Sequence, residues 1–249
     1  MFQANWKRAV IKVGSSLIAP SNNQCSTEIL VSIAKFISES RLQGKEVILV
    51  SSGSVAAGKG KISYKHRPSI AEKQAMAAIG QTQMMASWAS LFDFDCAQIL
   101  LTADDLHNRT RYVNIKNTLR ELLRNQALPI VNENDTVVTD EIRFGDNDTL
   151  GAMSAALVNA DLYIILTDQD GVFTDNPRDN PDAKMIRQER AMADYLFDIA
   201  GDGGKLGRGG MLTKIRAGRL AAMGGCPTVI VSGAIDDVIT RVVSGEALG

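Results

Sequence analysis

Short apolar runs at residues 9–13, 46–51, 96–101, 128–131, 162–166 and 228–231 alternate with stretches whose apolar residues recur at helical spacing. Strands joined by helices rather than by tight turns pair in parallel, through right-handed crossovers. The first unit shows the pattern: a strand at 9–13, then Leu30, Ile33 and Ile37 on one helical face, then Gly44 as a stop and a second strand at 46–51. A sheet of this kind gathers its ligands at the C-terminal ends of its strands. The residues at those ends therefore carry most of the functional information.

Polar side chains crowd two neighbouring turns. The strand at 128–131 runs into Asn132, Glu133, Asn134 and Asp135, and after an alternating, hairpin-like stretch comes Gly145, Asp146, Asn147 and Asp148. Leu150, Met153, Leu157 and Val158 then share a helical face, so Asp146 and Asn147 stand at a helix start. Either alone reads as an N-cap. Together these acids and amides exceed what capping needs, and they suit an amino or carboxylate ligand, or a magnesium ion.

Lys12 interrupts the first apolar run. It either snorkels to water from the strand end or aims a charge at an anion. The second strand delivers Ser51, Ser52 and Gly53, and residues 53–59 imitate a P-loop, but position 60 is glycine where that motif needs Ser or Thr. We read the P-loop likeness as a decoy, and the turn itself as a source of N–H groups for a carboxylate or phosphate. Residues 201–210 hold a run of glycines before a helix that carries Lys214 one turn in. That run reads as a phosphate cradle or as a linker. The Met-rich stretch at 69–92, with Met76, Ile79, Met84, Met85 and Trp88, reads as core or as a subunit interface. Asp170-Gly171 and Asp175-Asn176-Pro177 carry the turn signatures of a hairpin.

Composition narrows the function classes. The 27 Lys and Arg nearly balance the 28 Asp and Glu, so no basic surplus marks a nucleic-acid or membrane-surface binder. Cys25, Cys96 and Cys226 lie far apart, which favours reduced thiols and a cytoplasmic location over a disulfide framework. No apolar run approaches the ~18 residues of a membrane helix, and the first residues lack a signal core. His66 and His107 have no Cys or carboxylate at ligand spacing, and no hydrolase, dinucleotide or protein-kinase motif is present.

Several segments, in this order, resemble the amino acid kinase family over nearly the whole chain. They are Ile11-Lys12-Val13-Gly14-Ser15, Ser51-Ser52-Gly53, Ala78-Ile79-Gly80-Gln81, the run from Gln98 to Thr102, Asn132-Glu133-Asn134-Asp135, Gly145-Asp146-Asn147-Asp148, Thr167-Asp168 and Gly209-Gly210-Met211-Leu212-Thr213-Lys214. The resemblance implies a single-domain, three-layer αβα sandwich with a mainly parallel central sheet over residues 1–249, its N-terminal half binding the acceptor and its C-terminal half binding ATP. The paired N-E-N-D and G-D-N-D segments resemble the branch of the family that phosphorylates the γ-carboxylate of L-glutamate with ATP and Mg²⁺ at the start of proline synthesis. An acceptor such as acetylglutamate, aspartate or a nucleoside monophosphate, or a catalytically weak regulator, stays as an alternative.

By that resemblance Lys12, Lys214 and Asp148 form the catalytic set, and Ser52, Gly53, Asn132, Asp135 and Asn147 hold glutamate. Lys12, Thr167, Asp168, Arg208, Gly209, Gly210, Met211, Leu212, Thr213 and Lys214 meet the nucleotide, and no protein metal site is implied. Arg208 departs from the family's G-T-G-G-M loop. L-proline as feedback inhibitor, a homo-oligomer (dimer or tetramer), no nucleic-acid or membrane partner, and no C-terminal PUA domain complete the expectations.

Overall fold

The structure is a computed structural model that describes residues 5–18, 27–62, 64–138, 147–177, 179–200 and 210–249. Its centre is a parallel sheet in the order β3-β4-β2-β1-β5-β6. The strands are β1 (Arg8–Val13), β2 (Glu46–Ser51), β3 (Cys96–Leu101), β4 (Leu128–Glu133), β5 (Leu162–Thr167) and β6 (Thr228–Ser232). The expected parallel sheet is thus observed, with every strand pair parallel among the described residues.

The period of two along each strand builds a core on both faces. Ala9, Ile11 and Val13 of β1 pack with Leu49, Ile130 and Ile164 against α2 (Thr27–Leu42), α4 (Ile70–Ala89) and α10 (Val238–Val243). Val10 joins Ile48, Val50, Val131 and Ile165 on the other face, under α6 (Arg109–Arg124), α7 (Asn147–Val158) and α9 (Met211–Met223). Three layers result. Each fully buried Leu or Ile contributes roughly 1.5–3 kcal/mol relative to exposure, which is why apolar runs this short hold their places.

The same parity aims the polar side chains. Lys12 follows Val10 onto the face of α7 and α9, whereas Asn132 follows Ile130 onto the face of α4. The register sets Lys12 beside Val50 and Ile165, so the ends of β1, β2 and β5 lie together. β1 is flanked on one side by β2 and on the other by β5, and the chain reverses direction across it. A crevice at such a reversal is where parallel sheets bind ligands.

Several expectations shift in detail. β4 extends through Asn132 and Glu133 instead of stopping at Val131, because these residues still pair with Leu100 and Leu101 of β3. The amphipathic helix before β4 begins at Arg109, capped by the Asn108 side chain. The short helices α1 (Ser15–Ile18), α5 (Ala103–His107) and α8 (Tyr195–Ile199) join the expected elements. Among the described residues, the hairpin expected near 170–177 is reduced to one antiparallel bridge, Phe173 with Met185.

The P-loop imitation has a packing explanation. Gly53, at φ 107°, caps α3 (Ser54–Lys59), and α3 lies hard against α4. A Cβ on Gly58 would stand 1.9 Å from the Met76 carbonyl oxygen, and one on Gly80 would stand 1.7 Å from that of Ser54. These glycines allow two helices to touch backbone to backbone, while Lys59 is exposed at the far end of α3. The apolar stripe of α4 is spent in the same way: Met76, Met84 and Trp88 are buried in the core.

Candidate active site

At the C-terminal ends of β1 and β5, two lysines converge on one carboxylate. Lys12 comes from β1, Asp148 from the first turn of α7 and Lys214 from the first turn of α9. Lys12 Nζ pairs with Asp148 Oδ1, and Lys214 Nζ lies 3.2 Å from Asp148 Oδ2. All three are buried, with Asp148 at 0%, Lys214 at 4% and Lys12 at 6% exposure. Lys12 is therefore no snorkelling lysine; its ammonium stays inside, held by charge. The Thr213 hydroxyl donates to Asp148 Oδ2 at 2.9 Å, and the Tyr163 hydroxyl donates to the Asp148 carbonyl at 2.7 Å.

Burial works against ionisation of Asp148, but the charges of Lys12 and Lys214, with hydrogen bonds from Lys12 and Thr213, outweigh it. They hold the carboxyl below its ordinary value of 3.8. An ionised Asp148 keeps both ammonium groups in place, so a cationic site is built before any ligand arrives.

On the other face, at the ends of β2 and β4, the groups are mostly neutral. The Asn147 amide donates to Ser52 Oγ and to Asn132 Oδ1, each at 2.7 Å. Asn132, 1% exposed, donates to Gln81 Oε1 at 2.8 Å, and Gln81 donates to Gln98 Oε1 at 2.9 Å. The Ser54 hydroxyl donates to Asp135 Oδ2 at 2.8 Å, which ties the one carboxylate of this group to the start of α3. Gly53, left-handed between Ser52 and Ser54, turns the chain so that both hydroxyls reach their partners.

A third cluster borders the first. Thr167, 4% exposed, ends β5, and its hydroxyl donates to Asp168 Oδ1 at 3.2 Å, with Asp168 itself exposed. Gly210 precedes α9, whose first turn carries Met211, Leu212 and Thr213 half-buried. A helix N-terminus beside buried lysines suits a polyphosphate. Arg208, Gly209 and the rest of the glycine run at 201–209, together with Gly145 and Asp146, lie outside the described residues. Sequence reasoning assigned no role to Ser54, Gln81 or Tyr163. Ser54 could have been found from its place next to Gly53, but nothing local marks Tyr163.

The amino acid kinase family model matches residues 7–232. The chain belongs to the amino acid kinase family. Among curated relatives, the glutamate 5-kinase of Psychrobacter arcticus is 64% identical over 98% of this chain and 63% of its own length. Those of Acinetobacter baumannii and Salinibacter ruber are 51% and 50% identical, over 98% of this chain and 66% of theirs. The chain thus spans slightly under two thirds of the length of these amino acid kinases. A UMP kinase from Bacillus anthracis, at 18% identity, overlays with a TM-score of 0.63 over 98% of this chain and 94% of its own; that likeness concerns the fold.

Proposed function

We propose that the chain transfers the γ-phosphoryl group of ATP to the γ-carboxylate of L-glutamate, giving γ-glutamyl phosphate and ADP, the first step of proline biosynthesis. The observation that carries the reading is the convergence of Lys12 and Lys214 on buried Asp148 at the strand ends. The names of the relatives, glutamate 5-kinases at 50–64% identity, support the acceptor.

The chemistry asks for no general base, because a glutamate side chain with a pKa of about 4.3 is already an anion at neutral pH. The obstacle is bringing that anion in line with a triphosphate. Lys12 and Lys214 offset the charge that spreads over the transferring phosphoryl group, and Asp148 keeps them from drifting. One carboxylate oxygen of the substrate bonds to phosphorus as the bond from phosphorus to the ADP oxygen breaks. At the acceptor end, Asp135 and Asn147 face the α-ammonium, and Ser52, Gly53 and Asn132 complete the pocket. Thr167, Asp168 and the residues from Gly210 to Lys214 would meet the nucleotide, and Arg208 and Gly209, which precede them in sequence, are assigned to the same role. The N-terminal part of the single domain serves glutamate and the C-terminal part ATP.

Among the described residues no three His, Cys, Asp or Glu side chains gather as a metal site. Magnesium, which nucleotides commonly bring on their phosphate oxygens, would neutralise phosphate charge there. L-proline, sharing the α-amino and α-carboxylate subsites, would act as feedback inhibitor. A homo-oligomer would use the outward side of α4, where Ile70 and Ile79 remain exposed. No helix among the described residues is long and apolar enough to cross a membrane; a cytoplasmic location belongs to the proposed reading.

The test is incubation with ATP, Mg²⁺, glutamate and hydroxylamine, which converts an acyl phosphate into a hydroxamate. Hydroxamate that depends on glutamate and does not form with N-acetylglutamate is expected. Equal signal from both acceptors, or none from glutamate, overturns the reading.

A further inference from the structure

The amide groups on the α4 face form a chain with a direction. Its polarity is set by a donor that cannot be turned around: the backbone N–H of Glu133 donates to Asn132 Oδ1 at 2.9 Å. Asn132 Oδ1 must then face that N–H, which turns its Nδ2 toward Gln81. Gln81 answers with Oε1, and so presents Nε2 to Gln98. In the other direction Asn147 meets Asn132 Oδ1 with its Nδ2 and spends the second hydrogen of that group on Ser52.

The consequence lies at the inner end of the chain. Asn147 has both amide hydrogens committed, so what it can still offer a ligand is Oδ1, an acceptor. Ser52 Oγ accepts this one bond, and its proton, a donor, can turn to a carboxylate oxygen. An acceptor beside a donor sorts the two ends of an amino acid: ammonium to Asn147 and carboxylate to Ser52.

We propose that Gln81 is a positioning residue that fixes this sorting, and with it the preference for an acceptor bearing a free α-ammonium. It acts through Asn132 and does not touch the substrate. Gln81 is 8% exposed and Asn132 is 1% exposed, so water is a poor replacement for the Gln81 oxygen. Without that oxygen, Asn132 Nδ2 has no acceptor in its place, and the side chain rotates to find one. Rotation releases Asn147, whose amide can then turn either edge to the ligand. The proposal rests on the glutamate reading above.

The test is steady-state kinetics of wild type, Gln81→Met, Gln81→Glu and Gln98→Leu with glutamate and with glutarate, the same dicarboxylate lacking the α-ammonium. Methionine fills the space of glutamine without its acceptor. Gln81→Met is expected to raise the KM for glutamate roughly ten-fold or more, to narrow the preference for glutamate over glutarate, and to leave the KM for ATP unchanged. Gln81→Glu is expected to stay within about three-fold of wild type, since it keeps the acceptor and exposed Gln98 can turn its amide to match. Gln98→Leu, at the outer end, is expected to be milder than Gln81→Met. Unchanged glutamate kinetics and preference in Gln81→Met overturn the proposal. So does equal damage in Gln81→Met and Gln81→Glu, which would mark a packing defect. Wild-type enzyme inert toward glutamate overturns the glutamate reading itself, and this inference with it.

Discussion

The two faces of the sheet solve opposite problems at the same edge. On the side of α7 and α9, Lys12, Asp148 and Lys214 are full charges held within the protein. Across the strand ends, from Asn147 of α7 and Ser52 through Asn132 to Gln81 of α4 and Gln98, neutral dipoles are joined in a row. A phosphoryl group in transfer changes its charge distribution, and fixed cations act most strongly on such a change. In the proposed reaction the α-ammonium and α-carboxylate of the acceptor keep their charges throughout, so orientation matters more there than field strength. Burying charge is costly, and in this cluster the pairing of both lysines with Asp148 offsets the cost.

The largest effect is expected where charge is removed from the buried cluster. Asp148→Asn leaves two buried ammonium groups without their shared carboxylate, and breaking a buried pair costs roughly 3–5 kcal/mol. Calorimetry is expected to show a lowered Tm at neutral pH. Because the Asp148 carboxyl is held below 3.8 in the folded state, its contribution is present above that value and is lost as the pH falls through the folded pKa. The gap in Tm between wild type and variant should therefore close in acid. A constant gap at all pH values would mean that the charge of Asp148 contributes nothing.

A smaller and more selective effect is expected at the acceptor end. Asp135→Asn keeps the Ser54 contact in shape but removes the charge proposed to face the substrate ammonium. Its KM for glutamate is expected to rise roughly ten- to hundred-fold, with the KM for ATP nearly unchanged. If both constants rise together, the two faces do not divide the work as described.

The mildest change concerns the helix contact beneath both. Gly80→Ala would put a Cβ 1.7 Å from the Ser54 carbonyl oxygen, so α3 or α4 must shift. Overpacking of this kind typically costs about 1–3 kcal/mol. A lower Tm with a modestly raised KM for glutamate, through Ser54 and Asp135, is expected. An unchanged Tm would show that the helices are less tightly joined than they look.

How much of this could be read in advance follows from the physics of each signal. The strands were legible because a buried parallel strand is a run of apolar residues, and Lys12 stood out because a charge interrupts one. That Lys12 meets Asp148 follows from strand parity only after the faces are assigned, and a sequence does not say on which face a helix lands. The last two residues of β4 looked like a turn, since Asn132 and Glu133 are polar; they remain a strand because β3 pairs with them. α5 is too short for periodicity, yet the mutual capping of Thr102 and Asp105 was there to be seen. The amide chain from Asn147 to Gln98 was invisible, because its members come from α7, β4, α4 and β3 and are neighbours only in space.

The central claim is that phosphoryl transfer belongs to the Lys12 and Lys214 face and not to the P-loop imitation ending in exposed Lys59. The direct measurement is kcat and the KM for ATP in Lys12→Ala, Lys214→Ala and Lys59→Ala. Loss of a preorganised cation is expected to lower kcat by roughly 10² to 10³ in each of the first two, with a lesser change in KM, while Lys59→Ala keeps most of its activity. Abolished turnover in Lys59→Ala alongside active Lys12→Ala and Lys214→Ala would contradict the account.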